Sequence, residues 1–335
     1  MWSRNCLLIL VVTLTFVANS SADDDVRFVM KGHSGGATSV AFSPDGKILA
    51  AGCNDGSAKL WDLVSGKELR HWQAHDGTYC RVSFSPDGKT LATGCGTKFL
   101  GKSDLRIRLW SVPSGKEIGS LTGHQGGVNS IAFSPDGKLL LSGSNPILGG
   151  QPGEARLWNL VTLKEIESLK GHKDGVVAVS FSPDGKSFAT AEGFFGNGIH
   201  VWETATRKEQ FAVSGVSEFA FSPDGKELVG LRGNSVVFLN SSTGKENDAI
   251  ANVDSSTYRM ALSKDGKQLA ISGKETPTAV WDINKAKQKA VIHDYFRDIV
   301  VGLAFSPDGK SLATGSLDTR VTIWDVEKLP KPVKK

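Results

Sequence analysis

Residues 39–52 read SVAFSPDGKILAAG: an alternating apolar stretch, a Pro-Asp-Gly turn and a second apolar stretch. Proline presets one turn angle and glycine accepts a positive φ, so this stretch predicts a β-hairpin. The turn recurs along the chain. SPDGK starts at Ser43, Ser85, Ser134, Ser182, Ser222 and Ser306, and SKDGK at Ser263 makes a seventh copy. The intervals are 42, 49, 48, 40, 41 and 43 residues. A period of this size marks a repeat in which each unit is one supersecondary structure.

Each hairpin is followed by a third strand ending in tryptophan: AKLWD, RIRLWS, ARLWN, IHVWE, TAVWD and VTIWD, with Trp61, Trp110, Trp158, Trp202, Trp281 and Trp324. The fifth copy reads VVFLN, with Leu239 in place of the tryptophan. A fourth strand such as KEIGSLTGH closes the unit at His33, His75, His124 or His172. Four short antiparallel strands match one blade of a propeller. These features resemble the WD-repeat family over residues 26–326. The resemblance implies an all-β, seven-bladed β-propeller. The tryptophans then pack between blades, and each repeat histidine joins a buried network with a strand hydroxyl, a turn aspartate and the indole. The second blade holds a full set in His75, Thr93, Asp104 and Trp110. The first has His33 and Asp55 but Ala51 at the hydroxyl position. The third and fourth pair His124 with Ser142 and His172 with Thr190 but lack the aspartate, and the fifth and sixth lack the histidine. The seventh keeps Thr314 and Asp318 but has Phe296. The weakened network predicts less rigid fifth and sixth blades.

The last repeat stops after its third strand, at Asp325, and VRFVMKGH at 26–33 reads as an orphan fourth strand. The N-terminal strand, Val26 to Met30, is therefore expected to complete the seventh blade and hide its edges.

Residues 1–22 read as a signal peptide: Arg4 gives a positive start, Leu7 to Val17 an apolar run, and Ser20 and Ala22 a small-x-small site before Asp23. The run is shorter than the ~20 apolar residues a spanning helix needs; an uncleaved anchor helix is the competing reading. The chain thus divides into a signal peptide at 1–22, a propeller at 23–326 and a basic Pro/Lys tail at 327–335. Exported members of the resembled family suggest a bacterial, periplasmic or secreted protein, monomeric and without an integral membrane segment after cleavage. Net charge is +4, or +3 without Arg4, too weak a bias to indicate nucleic acid. Cys53, Cys80 and Cys95 remain after cleavage. Hairpin register sets Cys80 opposite Cys95, so export permits a disulfide; the preferred reading is three small buried thiols.

No nucleophile elbow, zinc motif, calcium loop or phosphate-cradling loop occurs. Neither a metal nor a cofactor is expected, and the seven turn aspartates read as geometry. Seven positions are expected to line the channel mouth: Thr38, Cys80, Asn129, Val177, Ser217, Tyr258 and Val301, none an acid or base. Lengths add a further clue. From the turn lysine to the tryptophan position, blades 2, 3 and 4 use 21, 20 and 16 residues, against 13 or 14 elsewhere. The extra residues fall between second and third strands, so they land side by side on one face. They read GTKFLGKS, NPILGGQPG and EGFFGNG, with Phe99 and Leu100, Ile147 and Leu148, and Phe194 and Phe195 among glycines, and Lys98 and Lys102 as a basic rim. Clustered apolar loop residues mark a partner site if exposed, or pack on one another if not. Two function classes follow: a non-catalytic scaffold binding a protein or peptide on this face, or a propeller enzyme of hydrolase or lyase type at the central channel.

Overall fold

The computed structural model describes residues 25–32, 34–76, 78–96, 104–145, 152–193, 197–253, 257–273, 276–292 and 299–332. They form seven four-stranded antiparallel sheets. The first strands of successive blades touch all the way round, and the first strand of blade 1 meets that of blade 7, so the array closes into a propeller.

The repeated turn explains why each hairpin forms. Ser43 Oγ donates to Asp45 Oδ1 at 2.6 Å and accepts the Ile48 amide at 2.9 Å, while Asp45 Oδ1 also accepts the Lys47 amide at 3.1 Å. Gly46 closes the turn onto the Ser43 carbonyl with φ 71°. The same bonds recur from Ser85 and Asp87 through Ser306 and Asp308. The Ser43 hydroxyl and the Lys47 amide hold Asp45 below the ordinary carboxylate range. These aspartates therefore serve turn geometry.

Blades adhere through apolar side chains. Trp110 of blade 2 packs with Leu60 and Ala58 of blade 1, and Trp158 of blade 3 with Ile107 and Leu109 of blade 2. Close approach demands glycine in the second strand. A side chain at Gly94 would meet Val128 Cγ1 at 2.7 Å and Ile131 Cδ1 at 2.9 Å on the next blade. The seventh sheet takes its outer strand from the N-terminal side of the ring: Val26–Met30 pairs antiparallel with Val321–Asp325, Met30 opposite Val321. The closure expected from the sequence is present. Beyond this strand, Val326 and Leu329 are buried, and the Val291 amide donates to the Pro330 carbonyl at 3.0 Å.

The innermost hairpins share one irregularity. Six of the seven shift register near the start of the first strand, at Thr38, at Tyr79 and Cys80, and at Asn129, Val177, Tyr258 and Val301. Such a bulge re-aims the side chains after it, and here it decides what faces the channel.

Candidate interaction face and central channel

The second, third and fourth blades each build a buried network around one strand hydroxyl. Thr93 Oγ1 accepts the Trp110 indole N–H at 2.9 Å and lies 2.8 Å from His75 Nε2. His75 Nδ1 stands 3.5 Å from Asp104 Oδ2, and Arg108 and Arg106 clamp the same carboxylate at 2.7 and 2.9 Å. Burial alone would raise the Asp104 carboxyl, but His75 and the two arginines outweigh it and hold it far below its usual range. The four residues expected to form a network in blade 2 do come together. In blade 3, Ser142 Oγ accepts Trp158 Nε1 at 2.8 Å and sits 2.6 Å from His124 Nε2. Here sequence reasoning missed the acid: Glu154 Oε2 lies 3.2 Å from His124 Nδ1. The longer side chain reaches the site from four residues before the tryptophan, whereas Asp104 starts six before. In blade 4, Thr190 bridges His172 at 2.8 Å and Trp202 at 3.2 Å, and His172 Nδ1 is buried without a partner. Burial and the neighbouring His200 lower the His172 pKa to about 4. Blade 7 keeps the Trp324 to Thr314 bond at 2.9 Å. His33 and Phe296 lie outside the described residues.

The channel corrects one expectation. Its cavity is lined by Thr38, Asn129, Val177 and Val301 as anticipated, but also by Arg81, Glu218 and Arg259. The residue four before each turn serine forms the ring: Ser39, Arg81, Ser130, Ala178, Glu218, Arg259 and Gly302. The expected positions lay one residue earlier, and the bulge shifts the phase. Cys80, the expected residue in blade 2, is instead fully buried in the interface with blade 1; the side chain of Tyr258 lies outside the described residues. Arg259 Nη1 stands 3.3 Å from Glu218 Oε2, the two side chains 18% and 17% exposed, and Arg259 Nε donates to the Val301 carbonyl at 3.2 Å. Arg81 Nη1 donates to the Thr38 carbonyl at 2.5 Å, while its Nε is buried with no partner. Burial first, and next the nearby Arg259 charge, bring the Arg81 pKa down to about 10. Burial raises the Glu218 carboxyl in spite of both arginines.

The three enlarged connections leave the sheet where expected, after Thr90–Gly96, Leu139–Asn145 and Ser187–Glu192 of consecutive blades. Lys98, Phe99, Leu100, Lys102, Ile147, Leu148, Phe194 and Phe195 all lie outside the described residues. At the described end of the blade 2 hairpin stands a residue that sequence reasoning passed over. Tyr79 is 48% exposed with φ 56°, next to Thr78, which pairs with Gly96. Six residues before the turn serine, other blades bury a small or branched side chain: Ala37, Val128, Val176, Val216 or Val300. In blade 2 the register skips two residues, Tyr79 and Cys80; Cys80 is buried against blade 1, and Tyr79 turns outward. Leu163, Arg207, Asn252, Ala286 and Thr319 share this left-handed backbone, so what sets Tyr79 apart is its exposed aromatic ring. The only sequence signal was a bulky residue in a column of small ones.

Cys53, Cys80 and Cys95 are buried thiols, none of them in a disulfide. Burial pushes Cys53 and Cys95 up to about 12, and raises Cys80 as well. Thiols in this state are poor nucleophiles. Among the described residues, no cluster of His, Cys, Asp and Glu is arranged to hold a metal, and no helix is long and apolar enough to cross a membrane.

Comparison with known proteins gives similarity at two scales. Short stretches resemble the small ribosomal subunit protein RACK1z of Arabidopsis thaliana, 48% identical over 44 residues, and RACK1 of Medicago sativa, 50% over 44. Protein HIR1 of Kluyveromyces lactis is 41% identical over 59 residues, 16% of this chain and 7% of that one. Each RACK1 match covers 13% of this chain and 14% of the relative, so the chain spans about a seventh of those relatives. These relatives are eukaryotic, and none bears on a bacterial or exported origin. The family described as WD domain, G-beta repeat matches at 24–62, 66–111, 115–159, 163–203 and 287–325, leaving unmatched the fifth and sixth blades, where the networks are gone. With more than half its length matched and seven closed blades, the chain belongs to the WD-repeat family.

Proposed function

We propose that the chain is an exported, non-catalytic scaffold that binds a protein or peptide on the face bearing segments 97–103, 146–151 and 194–196. Membership of the WD-repeat family supports a protein-interaction role. The observation that favours this face is the exposed Tyr79, next to Thr78, which pairs with Gly96 at the end of the second strand of blade 2. Exposed aromatics anchor interfaces because they bury a large area at low entropic cost. Export rests on residues 1–22 alone, and N-terminal sequencing of protein from cells tests it: Asp23 at the start supports cleavage, Met1 refutes it.

Replacing Phe99, Phe194 and Phe195 with serine tests the docking face. The melting curve is expected to hold while capture of a cross-linked partner from envelope extracts is lost. A variant that melts much earlier would make those residues core. An enzyme at the channel is the competing reading, favoured by the charged side chains of Arg81, Glu218 and Arg259 that line its cavity. A Glu218→Gln chain that still captures its partner fully separates the two.

A further inference from the structure

We infer that the central channel is a binding site for one small oxyanion, a carboxylate or a phosphate, gripped between Arg81 and Arg259. The inference does not depend on the rim segments. Of the seven ring positions, four hold Ser39, Ser130, Ala178 or Gly302, which leave space, and three hold long charged side chains. Two of those three are guanidiniums and one is a carboxylate, so the ring residues carry one positive charge in excess. Arg81 and Arg259 each reach toward the seam between blades 1 and 7. Arg81 reaches back to the Thr38 carbonyl of blade 1, and Arg259 reaches forward to the Val301 carbonyl of blade 7, over the seam where Ser39 and Gly302 stand. Arg81 keeps a buried Nε–H without an acceptor. A buried donor left unpaired, in a cavity where two cations repel, is stabilised by an anion that accepts from both. Asn129 adds a side-chain amide to the lining.

The cavity is open to solvent on part of its boundary and measures about 150 Å³. That is below the roughly 300 Å³ at which pockets for drug-sized ligands begin, so the fit is to a small ion or the tip of one acidic side chain. Guanidinium pairs suit both, because planar donors meet two oxygens at once. Glu218 occupies one side of Arg259 and competes with the ligand.

The test is calorimetric titration of the full chain with two probes: inorganic phosphate, and a blocked tripeptide with a central glutamate. Saturable one-to-one binding of either supports the site, and the tighter probe identifies the source of the oxyanion. Arg259→Gln is expected to weaken binding roughly 10- to 100-fold, as for loss of a charged hydrogen bond. Glu218→Gln is expected to tighten it about 10-fold by removing the competing charge. A merely structural ion pair would move both variants the same way, which keeps the test sharp even if Arg81→Gln fails to fold. Absence of saturable binding with both probes overturns the site. So does an equal loss of binding in Lys138→Gln, which alters only an exposed turn.

Discussion

Blades 2 to 4 and blades 5 and 6 share one backbone but differ in how they treat buried polar groups. In the former, one hydroxyl satisfies both an indole N–H and an imidazole. In blade 5 the network is gone at both ends: Leu239 stands for the tryptophan and Gly230 for the hydroxyl. Blade 6 keeps Trp281 but places Ile271 where the hydroxyl belongs, and the indole nitrogen is buried without a partner. Replacing both partners by apolar groups is close to neutral, whereas removing one leaves the full desolvation penalty of about 1–3 kcal/mol. Blade 5 is thus an alternative solution, and blade 6 is the weak point of the ring.

The largest perturbation opens the ring. Deleting Val26 to Lys31 strips the outer strand from blade 7, and the predicted outcome is loss of a single cooperative unfolding transition, with blade 6 melting before blades 2 to 4 in calorimetry. An unchanged melting curve would contradict the closure. Next, Thr93→Val orphans both Trp110 and His75 and is expected to cost ~2–4 kcal/mol in denaturant unfolding. A loss below ~0.5 kcal/mol would remove the network from the stability argument.

Acid should also separate the two regions. Folded His172 titrates near 4 because of burial and His200, and burial lowers His124 as well. An unfolded histidine titrates near 6.5. The unfolded chain therefore binds protons first, and stability falls as pH drops from about 6.5 toward 4, by at most ~3 kcal/mol for His172. His172→Gln should flatten that slope; an unaltered slope would place the proton uptake elsewhere. The smallest effect is a repair: Ile271→Thr gives the Trp281 indole an acceptor, and in denaturant unfolding that gain is expected to offset the lost burial of Ile271, leaving stability within ~1 kcal/mol of the parent; a loss of ~2 kcal/mol or more would show that the indole goes unrepaired.

Much of this architecture was legible because turn chemistry is local. Ser, Pro, Asp, Gly and Lys at fixed offsets define a hairpin whatever surrounds them, and the orphan strand at Val26 to Met30 then has one place to go. The blade 2 network was legible for the same reason, since its spacings recur. The channel was not. The expected channel residue in blade 2 was Cys80, but the bulge at Tyr79 and Cys80 shifts the phase to Arg81, and nothing in the residue types announces it. Glu154 escaped because a longer carboxylate two residues closer reaches the same histidine nitrogen.

Native-state hydrogen exchange read by peptide mass spectrometry tests the comparison most directly. The second strands Thr90–Gly96, Leu139–Asn145 and Ser187–Glu192 are predicted to exchange at least 10-fold more slowly than Gln268–Gly273, the factor that ~1.4 kcal/mol of local opening energy gives. Equal protection in all four, or slower exchange in Gln268–Gly273, would contradict the claim that paired hydroxyls and indoles set the stability of each blade.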